Sequence, residues 1–127
     1  MADLSFIDNP AVKNDPQGYE AVILDVRTAL ESLRLSMLSY EIMHQDGTLK
    51  ADEVLSEKQQ ARRAVIREMM SKNEPLPKPI IGLGLMDNVE IGSERDVFLT
   101  LAIQGAKTIP VHVRKSQIKA LKKFIVG

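Results

Sequence analysis

Between residues 80 and 113 the apolar positions of this chain keep one parity. Ile81, Leu83, Leu85, Val89, Ile91, Val97, Leu99, Leu101, Ile103, Ile109, Val111 and Val113 all carry odd numbers. Successive side chains of a strand point to opposite faces, so a period of two predicts a sheet with one buried face. Register follows from the same parity. A two-residue hairpin at Asp87 and Asn88 would set Leu85 against Glu90, so residues 80–91 read as one long strand. Three-residue loops at 93–95 and 105–107 pair Ile91 with Val97 and Ile103 with Ile109, which keeps apolar opposite apolar. The prediction is a three-stranded antiparallel meander with residues 96–104 in the middle. Pro110 cannot donate to a ladder and suits an outer strand, and Asp87 would turn its charge toward the apolar face of the other outer strand.

The first half of the chain reads differently. Residues 1–15 form an arm, because Pro10 and Pro16 push the residues before them out of the helical region. Tyr19, Ile23, Val26, Leu30, Leu33, Met37 and Tyr40 are spaced 4-3-4-3-4-3, a heptad seam that predicts one long helix over 16–43. That seam can pack inside the subunit or against a second copy. A more polar helix is expected over 51–72, with Arg62, Arg63 and Arg67 mainly on its wet side. Three prolines within 73–79 predict a stiff extended connector. Beyond the meander, Ile118, Leu121, Phe124 and Ile125 mark a last helix over 117–126, with Ser116 as its cap. The expected fold is therefore α+β in the order α-α-β-β-β-α, in a single domain of a helical half (16–72) and a β half (80–127).

Composition narrows the chemistry. The chain has 127 residues, 44% hydrophobic, and no apolar run near the ~20 residues that span a bilayer. No membrane partner is expected. There is no cysteine, which excludes disulfides, thiol catalysis and thiolate metal sites. The segment at the start lacks the basic end and apolar core of a secretory signal, and a cytoplasmic setting is the default expectation. The net charge of zero hides two poles: no acid follows Asp96, so residues 97–127 carry +6 and the rest −6. Such a basic end suits phosphates, an acidic protein, or the acidic pole of another copy.

Motifs add little. Gly82 and Gly84 lie inside a predicted strand, and Asp87 stands where a dinucleotide loop needs its third glycine. The run from Asp46 to Glu53 resembles half of a calcium loop, but Ile42 and His44 fall where carboxylates must stand. With two histidines and no cysteine, neither a metal nor another cofactor is expected. The meander registers gather one polar row, Asn88, Thr100 and His112, on the outward face. Three readings of function follow. The first is a non-enzymatic binding or assembly protein, homo-oligomeric through the heptad seam. The second is a nucleic-acid binder using Arg114, Lys115, Lys119, Lys122 and Lys123, with Phe98 as a stacking platform. The third is a small-ligand binder or enzyme at Asn88, Thr100 and His112.

Overall fold

A computed structural model describes residues 4–36 and 39–126. Its content is mixed α and β, but the predicted order is corrected: the elements run β-β-α-α-β-β-β-α-β-α. They are β1 (Phe6–Ile7), β2 (Tyr19–Asp25), α1 (Val26–Leu33), α2 (Glu57–Ser71), β3 (Leu76–Pro77), β4 (Ile80–Leu83), β5 (Val89–Ser93), α3 (Arg95–Ile103), β6 (Thr108–Arg114) and α4 (Ile118–Leu121). Four strands make one mixed sheet in the order β2-β6-β4-β5, with β6 antiparallel to β2 and parallel to β4. A two-residue parallel pair, β1 with β3, ties the N-terminal arm to the connector.

The single long helix over 16–43 is replaced by a strand and a short helix. Asp25 divides them: its carboxylate accepts from the Thr28 backbone N–H at 3.0 Å and from the Thr28 hydroxyl at 2.8 Å, capping α1. These bonds hold the Asp25 carboxyl below its usual pKa. The seam residues are thereby separated. Tyr19 and Ile23 lie on β2, Val26, Leu30 and Leu33 on α1, and Tyr40 in a 3₁₀ turn; Met37 lies outside the described residues. What defines β2 is Leu24, off the seam and fully buried.

The predicted middle strand is a helix. In α3, Val97, Phe98, Leu99, Thr100 and Leu101 are all buried, and a helix enclosed on every side shows no 3.6-residue period. Gly105, at φ 93°, ends it: the Gly105 N–H donates to Ala102 O and the Ala106 N–H to Leu101 O, the Schellman pattern of a helix C-terminus. Residues 80–91 also divide. A five-residue turn, 84–88, with Asp87 at φ 55°, joins β4 to β5, so Asp87 stands in a turn and not on a core face.

β6 holds the centre of the sheet and not an outer position. Pro110 is tolerated there because β4 pairs only with His112 and Val113, leaving no β4 partner that needs a donor from residue 110. Ile109, Val111 and Val113 face the core with Leu24, Ile81, Phe98 and Leu121, all fully buried. At about 25 cal/mol per Å² of apolar area, this cluster is the main source of stability. Within α2, the Ser56 hydroxyl accepts from the Gln59 N–H and the Gln59 side chain reaches back, a capping box. Arg63, expected on the wet side, is buried; it donates to Lys50 O at 3.1 Å and to Asp52 at 3.2 Å, and Arg67 shares the same carboxylate.

Candidate binding surface

The polar row of the predicted meander does not form, because Thr100 sits in α3. Each of the three residues has its own surroundings, and among the described residues no hydrogen bond joins them. The Asn88 amide donates to Val89 O and to Glu90, and its oxygen accepts from the Met86 N–H, closing the 84–88 turn. The Thr100 hydroxyl is buried with no hydrogen-bond partner among the described residues.

His112 is 4% exposed beneath the N-terminal arm. Its Nε2 accepts from the Asn9 backbone N–H at 3.2 Å, so a neutral ring carries its proton on Nδ1. Burial, then the Lys78 charge, pushes the pKa below the usual imidazole value, while Asp8, 3.6 Å from Nε2, acts the other way. The Asn9 side chain meanwhile donates to Lys78 O at 2.9 Å and to Ser93 Oγ at 3.0 Å. A nitrogen already bonded to the arm is not free to act as a base. This arrangement fastens the arm over the sheet.

The C-terminal cations form a different kind of place. Lys115, Lys119 and Lys122 gather beside Val22, Ile118 and Ile125 in an open groove of about 750 Å³ between β2 and α4. Arg114 and Lys123 do not join them: Arg114 stacks over the Tyr19 ring at 4.9 Å, and Lys123 lies over Phe124 at 5.2 Å. The groove exists because Leu121 and Phe124 anchor the helical tail in the core, while Lys119 and Lys122 stay exposed. Glu20 is the one carboxylate in its lining.

Charge pairing is uneven along the chain: Lys13, Arg34, Lys50, Lys58 and Arg95 make no ion pair among the described residues, but the other six cations before residue 97 do. Arg27, Arg62, Arg63, Arg67, Lys72 and Lys78 each stand within 4 Å of a carboxylate oxygen. Among the described residues, no such ion pair involves Lys107, Arg114, Lys115, Lys119, Lys122 or Lys123. The sequence identified these lysines by charge alone. It missed Val22 and Glu20, because both were read as part of a helix. The β-branched pair Val22-Ile23 just before Asp25 was the available signal for a strand. Among the described residues, no helix is long and apolar enough to cross a membrane. No protein-family model, curated protein or solved structure matches the chain.

Proposed function

We propose that this chain is a non-enzymatic binding protein whose working surface is the lysine-rimmed groove between β2 and α4, and whose ligand is an acidic protein segment. One observation carries this reading: three cations without carboxylate partners border an aliphatic floor of Val22, Ile118 and Ile125. Unpaired positive charge steers an acidic partner toward the surface, and the aliphatic floor supplies contact area once it arrives. A nucleic acid fits less well. Single strands are held by bases stacked on aromatic rings, yet the groove lining has no aromatic residue and Phe98 is fully buried.

The reading is tested by titrating a fluorescent peptide of alternating Glu and Val residues against an oligothymidylate of equal charge. At about 50 mM salt, where screening is weak, the peptide should bind, and at about 300 mM it should bind more weakly. Replacing Lys115, Lys119 and Lys122 together with Glu should abolish binding. Failure of the peptide to bind at low salt, or equal binding by the triple variant, overturns the proposal. Tight binding of the oligonucleotide in preference to the peptide would replace the acidic protein with a nucleic acid.

A further inference from the structure

We propose that the acidic segment enters as an added β-strand on the open edge of β2, a mode of binding that rests on the function proposed above. The direction of the backbone groups on β2 follows from two independent hydrogen bonds. The His112 N–H donates to Pro79 O on the β4 side, so Ala21, its partner across the β2–β6 ladder, turns its N–H and C=O away from β6. The Val126 N–H donates at 2.8 Å to Ile23 O, which has the same parity as Ala21 and lies on that outer side. The outer groups of β2 therefore belong to Tyr19, Ala21 and Ile23.

The protein's own C-terminal segment covers half of this edge. It makes the Leu24–Ile125 bridge and the Val126 bond to Ile23, and Val126 is the last described residue. Along residues 19–22, among the described residues, no hydrogen bond reaches the outward groups of Ala21. Outer strands are ordinarily blunted by proline, a bulge, an inward charge or lysines along the edge. β2 contains no proline, and its seven-residue register against β6 runs without a shift. Its Glu20 faces the groove. An edge with no proline and no bulge, guarded by lysines that repel a basic strand and attract an acidic one, suits strand addition by an acidic segment, with main-chain bonds for affinity and alternating side chains for specificity.

The alternation gives the partner a pattern. Side chains of an added strand that fall on the groove side meet Lys115, Lys119 and Lys122, and carboxylates fit there. Those on the other face lie beside Tyr19 and Ala21, where apolar residues fit. The partner is an extended segment alternating acidic with aliphatic residues over about four positions, roughly 13 Å of strand. A second copy of this chain fits poorly. Edge-to-edge pairing of two β2 strands would bring two lysine triplets together against only two Glu20 carboxylates.

Ala21→Pro tests the mode of binding. It deletes the outward N–H and removes no bond to β6, a position where a strand accepts proline. The variant should keep wild-type circular dichroism and lose affinity for the Glu-Val peptide by roughly tenfold or more. Should Ala21→Pro fail to fold, peptides N-methylated at alternate residues give the same information: one methylation parity abolishes binding and the other spares it. If Ala21→Pro and both methylated peptides bind as well as the unmodified pair, while the triple lysine variant does not bind, strand addition is overturned and the charged groove stands. Full binding by all variants overturns both. Sedimentation showing a wild-type dimer that Ala21→Pro dissociates would overturn the acidic partner in favour of a second copy.

Discussion

The two outer strands of the sheet are finished in opposite ways. On β5 the outward Val89 N–H donates to the Ser32 hydroxyl of α1 at 2.8 Å, the Ser36 hydroxyl donates to Glu90 at 3.0 Å, and Ser93 is held by Asn9. Side chains from two other parts of the chain thus lie against that strand, one of them taking an outward backbone group, and its register against β4 shifts between Ile80 and Ile81. On β2 a stretch beside Ala21 has no such cover among the described residues, and the cations next to it make no ion pair. Both strands pack apolar side chains on the same core. The difference lies in what each leaves outside, so stability and binding should respond to separate substitutions.

The largest effect should come from the part of β2 that belongs to the core. Leu24→Ala removes a fully buried side chain and should destabilise the fold by about 2–5 kcal/mol. Urea unfolding followed by far-UV circular dichroism measures this. Ala21→Pro, three residues away, should cost far less. Equal losses would mean that the outer side of β2 is also structural, and the contrast between the two edges would disappear.

Next in size is a pH effect on the arm that holds the Ser93 end of β5. The folded pKa of His112 lies below its unfolded value of 6.5, so the unfolded chain binds the proton first. Stability is then complete above about 6.5 and is lost as the pH falls from there through the folded pKa. A protonated Nε2 cannot accept from the Asn9 N–H, and Asp8, close enough to replace that partner, limits the loss without abolishing it. Urea midpoints across this window should fall in the wild type and flatten in His112→Gln. A flat wild-type profile would show that His112 does not hold the arm.

The legible parts of the fold share one physical property. β6 alternates apolar Ile109, Val111 and Val113 with Thr108, Pro110, His112 and Arg114, and Ile118, Leu121 and Phe124 bury one side of the tail while Lys119, Lys122 and Lys123 stay exposed, so their periods survive in the sequence. For α2 the apolar stripe predicts a helix over 51–72, and the Ser56–Gln59 capping box is what sets its start at Glu57. α3 was illegible because its odd residues happened to continue the strand parity, and because burial all round erases the helical period; the apolar even residues Phe98 and Ala102 were the contrary sign. β2 was misread because a 4-3 spacing from Tyr19 through Ile23 to Val26 arises equally when a strand runs into a capped helix. Of the candidate site, the lysines were legible from charge. Its floor and open edge depend on the pairing of β2 with β6, a contact between residues about ninety apart in the chain that no local pattern encodes.

Closure of the β5 edge can be tested directly. Ser32→Ala leaves the Val89 N–H without its acceptor at the margin of the sheet, and should cost about 1 kcal/mol. The same substitution should leave peptide binding at β2 unchanged. If Ser32→Ala created a second peptide site of similar affinity, the exposed backbone alone would suffice for binding and the lysines would add little.

The smallest effect sharpens the comparison most. Replacing Lys115, Lys119 and Lys122 together with Gln should change stability by no more than about 0.5 kcal/mol, and the change should be a gain. Charges without partners repel one another in the folded protein, so removing them relieves a strain that favours the unfolded chain. Because that repulsion is screened, the gain should be measurable at about 0.01 M salt and vanish near 1 M, where the Debye length falls to about 3 Å. Urea titrations at the two salt concentrations decide the sign. A loss of stability at low salt would mean that carboxylates hold these lysines as Asp52 holds Arg67. The openness of the β2 edge would then be a matter of its backbone alone.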